Sequence, residues 1–144
     1  MADSISVHEL MGELNLFQHK YASIEQSMLK KNQLNRSAFF IMQQLIEQPL
    51  TLTELVHITS LNKSTLSRQV NDLAEKGWVT KTPEKDKRFI QLMLSKEAKQ
   101  KVHTVQFEIE HQLTQVFSSW PDEEKQLLII LIRRINRKIE LVVN

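Results

Sequence analysis

Lys63, Ser64, Thr65, Ser67, Arg68 and Asn71 crowd into the stretch NKSTLSRQVNDLAEKG, residues 62–77. None of these residue types, at these spacings, forms a nucleophile–base pair or a metal-ligand set. What they can do is recognise. Lysine and arginine attract anions, and short hydroxyl and amide side chains hydrogen-bond while letting a second surface come close. The plain alternative is a solvated surface helix, although such a face usually carries more long Glu/Lys pairs.

The elements that position these residues are legible around them. Asn62 suits an N-cap and Gly77 a helix-ending position, since glycine enters the left-handed region without a Cβ penalty. Leu66, Val70, Leu73 and Ala74 recur as the buried stripe of an amphipathic helix, so the polar residues lie opposite the core. Upstream, Thr51 and Glu54 stand at capping-box spacing, and Leu52, Leu55, Val56 and Thr59 form an inner face that also packs His57. Only Ser60-Leu61-Asn62 separates the two helices, which makes a helix-turn-helix whose second helix offers its N-terminal end to a major groove. Downstream, WVTKT and FIQLMLS read as strands around the charged turn TPEKDKR. A charged hairpin directly after a helix-turn-helix is a wing.

Residues 51–100, TLTELVHITSLNKSTLSRQVNDLAEKGWVTKTPEKDKRFIQLMLSKEAKQ, resemble the MarR family of winged helix-turn-helix transcriptional regulators. The pattern runs in order: a capped helix, a Lys-Ser-Thr start, a Leu73–Trp78 exit around glycine, a wing with Asp86 and Arg88, and a Leu94-Ser95 return. The resemblance implies a mostly α (α+β) winged-helix fold with long N- and C-terminal dimerisation helices. It implies a homodimer that binds a pseudo-palindromic operator in double-stranded DNA, as a repressor released by a small aromatic effector. Lys63, Ser64, Thr65, Ser67, Arg68 and Asn71 would approach bases and phosphates. Arg88 would reach a minor groove with Asp86 orienting it, and Lys85 and Lys87 would touch phosphates. The expected divisions are 1–34 for an N-terminal dimerisation helix, 35–94 for the DNA-binding core (helix-turn-helix 51–77, wing 78–94) and 95–144 for C-terminal dimerisation helices.

Composition bounds the alternatives. The chain has 144 residues, 41% of them hydrophobic, with two glycines and three prolines, which suits one mostly helical domain. Zero cysteines exclude disulfides, thiolate metal sites and thiol redox sensing. The net charge is only +2, but residues 63–88 hold seven Lys/Arg against four Asp/Glu, so the basic excess sits on the reading helix and wing. The N-terminus lacks a signal-peptide pattern, and the apolar run LLIILI is too short to span a bilayer. A cytoplasmic location with no membrane partner is expected.

The flanking segments read as long helices. Val7, Leu10, Met11, Leu14, Phe17, Tyr21, Ile24 and Met28 share helical spacing, interrupted at Asn32–Asn35. Asn35 then caps a helix with Phe39, Met42, Leu45 and Ile46 inward. Ser95 caps a helix of about 22 residues, roughly 33 Å long, carrying Ala98, Val102, Val105, Ile109, Leu113 and Val116. Pro121 opens the last helix, where Leu128, Leu131, Ile135, Ile139 and Val142 form a stripe that Leu127, Ile130 and Ile132 widen. So wide a stripe on a terminal helix expects a helix from a second chain, unless the two long helices cover each other. Phe17, Tyr21, Phe39 and Met42 either line a ligand pocket, with Tyr21 as its polar handle, or belong to the core. Glu108, Glu110 and His111 raise a metal-dependent regulator as an alternative, against a plain solvated face. His103 and His111 stand about 80° apart around a helix, which makes a poor pair. Phosphate-cradle and nucleophile motifs are missing from the sequence, so neither an enzyme nor a cofactor is expected. A winged-helix protein-interaction module without DNA binding is the rival class.

Overall fold

The computed structural model describes residues 4–83 and 89–143, divided into two compact units, Met1–Ile109 and Glu110–Asn144. In the first unit, helix α1 spans Val7–Lys31, and Ser6 caps it by accepting from the Glu9 N–H at 3.1 Å. Its end is a Schellman motif. Gln33 takes φ 62°, its N–H donates to Lys30 O, and the Leu34 N–H donates back to Leu29 O at 2.9 Å. Leu29 and Leu34, both buried, supply the apolar contact that accompanies such an end. Helix α2, Arg36–Leu45, starts where Asn35 Oδ1 accepts the Ala38 N–H at 2.8 Å, and it buries Ala38, Phe39, Ile41, Met42 and Leu45.

The expected helix-turn-helix and wing are present. Strand β1, Leu50–Thr51, leads directly into α3, Leu52–Thr59, and α4 follows at Lys63–Glu75. Strands β2, Val79–Pro83, and β3, Ile90–Leu94, pair antiparallel, and β3 also pairs with β1 to give the order β1-β3-β2. The pairing of β1 was not visible in the sequence, because two residues carry no period. Thr51 serves twice, as a strand residue paired with Gln91 and as the N-cap of a complete capping box with Glu54. His57, expected to pack within α3, is instead exposed, and Leu55 alone is fully buried on that helix.

The core of this unit is Leu29, Ile41, Met42, Leu45, Leu55, Leu66, Leu73, Leu92, Val102 and Val105, all side chains nearly without solvent contact. The last two come from α5, Lys96–Phe117, which Ser95 caps by accepting the Ala98 N–H at 3.1 Å. Lys101 of α5 donates to Asn32 O at 3.1 Å, on the carbonyl-rich end of α1. Asn32 Nδ2 bonds Met28 O at 2.8 Å and Glu108 Oε2 at 3.4 Å, and Lys31 lies 3.7 Å from the same carboxylate.

In the second unit, α6 spans Asp122–Val143, with Asp122, Glu123 and Glu124 in its first turn. No residue of α6 is buried. Phe117 and Trp120 stack edge to face with centroids 5.0 Å apart. Among the described residues no helix is long and apolar enough to cross a membrane.

Candidate nucleic-acid interface

Helix α4 is built to show one face. Leu66, Val70 and Leu73 fix its inner side in the core, and both its ends are held by the chain itself. At the start, Asn62 Oδ1 accepts the Ser64 N–H at 2.8 Å and the Thr65 N–H at 3.4 Å, and it also accepts the Ser64 hydroxyl. That bond uses the hydroxyl's only proton, so Ser64 Oγ faces outward as an acceptor. At the exit, Gly77 takes φ 78°, and the Gly77 and Trp78 N–H groups donate to Ala74 O and Leu73 O at 3.0 Å each. This second Schellman motif delivers the chain into β2. Trp78, 6% exposed, is clamped there by the ammonium groups of Lys76 and Lys101, each 5.0 Å from a ring centroid.

Of the residues expected to recognise DNA, Lys63, Ser64, Thr65, Arg68 and Asn71 are exposed and Ser67 is half-buried. An open groove is lined by Lys63, Ser64, Ser67, Arg68 and Asn71, together with Asn62. Five of the six polar residues of the sequence motif thus line one surface, and Thr65 is exposed outside that lining. The expected wing-tip contacts, Lys85, Asp86, Lys87 and Arg88, lie outside the described residues.

Sequence reasoning missed Lys81. Cross-strand pairing sets Val79 against Leu94 and Lys81 against Leu92, so Lys81 shares the α4-facing side of the hairpin with buried residues. Its ammonium donates to Asn71 Oδ1, tying the wing to α4. Strand parity alone could have put Lys81 on that side; its partner needed the packing.

The four residues considered for a ligand pocket divide. Phe39 and Met42 are core, at 4% and 0% exposure, whereas Phe17 is 57% exposed. Tyr21 is half-buried and stands 5.7 Å from the Phe17 ring. Burial, and to a lesser degree the Glu25 carboxylate, holds its phenol above the usual value of 10.0. A separate open pocket of about 500 Å³ is lined by Ser23, Gln26, Ser27, Lys30, Asn35 and Arg36, with Leu29 and Leu34 at its apolar side. Among the described residues no three His, Asp or Glu side chains come close enough to hold a metal ion. Glu108 is turned to Lys31 and Asn32.

Two short helices across a tight turn, followed by a β-hairpin, define a winged helix-turn-helix protein. The sequence profile of the MarR family matches residues 32–88. The chain is 28% identical over 127 residues to the uncharacterised HTH-type transcriptional regulator YxaD of Bacillus subtilis, covering 87% of this chain and 89% of that protein. It is 23% identical over 136 residues to a second such regulator, YybA, covering 93% and 91%. Its fold matches a MarR family protein from Bacillus stearothermophilus with a TM-score of 0.84 at 20% identity, over 95% of this chain and 99% of that one. Over residues 32–88 the chain is thus similar to the MarR family, and it has the winged helix-turn-helix fold of that family's solved members.

Proposed function

We propose that this chain is a homodimeric repressor that binds a pseudo-palindromic duplex operator through α4 and its wing, and lets go when a small aromatic effector binds. The observation that carries the reading is the outer face of α4, where Lys63, Ser64, Arg68 and Asn71 are all exposed around one groove and Thr65 is exposed on the same first turn. Such a face fits a major groove, with arginine and asparagine for base edges and lysine and hydroxyls for phosphates. Lys85, Lys87 and Arg88 add phosphate or minor-groove contacts, with Asp86 orienting Arg88. Residues 35–94 then hold DNA, while 1–34 and 95–144 make the dimer.

The dimer is supported by apolar surface that one copy leaves open. Leu10, Met11, Leu14 and Phe17 of α1 are at least half exposed, and Leu127, Ile130, Leu131, Ile132, Ile135 and Ile139 of α6 are each about 40% exposed or more. Apolar surface on this scale on each of the two helices marks an interaction site, and a second copy is the partner that would cover it. For the effector, Phe39 and Met42 offer no open surface, so a ligand reaching them displaces core contacts. The pocket beside Lys30 and Arg36 offers cations to an aromatic carboxylate.

The test is selection of bound duplexes from a random pool, followed by affinity against salt for the winning sequence. A palindromic winner whose affinity falls steeply with salt supports the reading. Binding without salt dependence or sequence preference would mean a protein-interaction module instead.

A further inference from the structure

Asn71 belongs to two surfaces at once. It lines the open groove of Lys63, Ser64, Ser67 and Arg68, and it lines the cleft where α4 meets the wing, with Val70, Ile90, Leu92 and Lys81. In that cleft its side-chain oxygen accepts from the Lys81 ammonium. The direction of this amide is chemically determined. An ammonium has three donors and no acceptor, so only the oxygen of Asn71 can face it. The NH2 group is left for the groove.

Lys81 is placed to hold this arrangement. Strand pairing turns it to the same side as Leu92, and the apolar side chains of Val70, Ile90 and Leu92 flank its stem. The charged head reaches out from that apolar support to the edge of α4. Both Asn71 and Lys81 remain exposed, so the pair is accessible to a duplex lying on α4.

Asparagine reads adenine by presenting both ends of its amide to one base edge, the oxygen to N6 and the NH2 to N7. With the oxygen drawn to Lys81, that bidentate arrangement is lost and the NH2 is a donor only. We infer that Lys81 is a specificity-determining positioning residue: it sets Asn71 to donate to an acceptor in the major groove, such as guanine O6 or N7 or thymine O4, and removes the bidentate contact that would favour adenine over these. This rests on the proposed DNA-binding reading.

The test uses the full chain and the selected operator, with every base pair substituted in turn. Wild type, Lys81→Met, Lys81→Arg, Asn71→Ala and the Lys81→Met/Asn71→Ala double variant are compared. Lys81→Met keeps the stem and removes the donor. It should shift preference toward adenine at one symmetry-related position per half-site, by about 5- to 150-fold, the range a bidentate contact spans. Preferences elsewhere should stay as in wild type, Lys81→Arg should restore the original preference, and the shift should vanish in the Asn71→Ala background. An equal loss of affinity for all sequences, the same with or without Asn71, would make Lys81 a plain phosphate contact and overturn the inference. Unchanged preference would overturn it too. The Asn71 side-chain amide resonance of the free protein separates the two failures. If it moves in Lys81→Met while wild type selects no sequence, the clasp exists but the DNA-binding reading, and this role with it, is wrong.

Discussion

The ammonium of Lys101 lies 3.1 Å from the backbone oxygen of Asn32 and 5.0 Å from the ring of Trp78. One side chain of α5 therefore holds the last turn of α1 and the residue where α4 passes into the wing. Lys101→Met keeps most of the stem and removes both charge contacts. The expected loss is about 1–2 kcal/mol, from one charged hydrogen bond and one cation–π contact. Urea titration followed by tryptophan fluorescence measures it, and an unmoved midpoint would show that the ammonium contributes nothing.

Gly77 ends α4 with φ 78°, and an added Cβ there meets nothing within 4 Å. Any cost of substitution is then backbone strain, not collision. Gly77→Ala should destabilise by about 1–2 kcal/mol, Gly77→Asn by less, and Gly77→Val by more. Thermal denaturation of the three variants gives the order, and equal losses would mean that the left-handed turn does not limit stability.

Tyr21 is the single tyrosine of the chain, so its ionisation can be followed directly by phenolate absorbance. Burial first and Glu25 second raise its pKa above 10.0. The phenol of the folded chain holds its proton more tightly than that of the unfolded chain. Its contribution to stability is thus complete below the unfolded pKa and is lost as pH rises through the folded one. Titration should show a midpoint above that of the urea-unfolded chain, moved part of the way back by Glu25→Gln. Coincident midpoints for folded and unfolded protein would contradict the burial of the ring.

Asp86 and Arg88 lie outside the described residues, and their proposed roles give a test by sign. Removing a negative charge from a DNA-binding loop should tighten binding if charge alone matters. If Asp86 orients Arg88, Asp86→Ala weakens binding instead, doing part of the damage of Arg88→Ala. Fluorescence anisotropy on the selected operator decides it, and a rise in affinity would reduce the wing to a plain charged loop.

The features legible in the sequence are those decided within a few residues. Asn35, Thr51, Asn62 and Ser95 cap the helices they were expected to cap, because a cap is a bond between neighbours in the chain. Gly77 ends α4 because glycine is the residue that enters its φ without strain. The same turn after α1 went unread, since Gln33 has no such preference and is held there by Leu29 and Leu34. The 3.6-residue period of α4 likewise told which of its residues share a side. It did not tell what stands opposite. That Lys81 meets Asn71, that Lys101 meets Asn32 and Trp78, and that Phe39 and Met42 close into the core while Phe17 stays open were decided by tertiary packing. Each is a contact between residues far apart in the chain, and only the folded backbone brings them within reach.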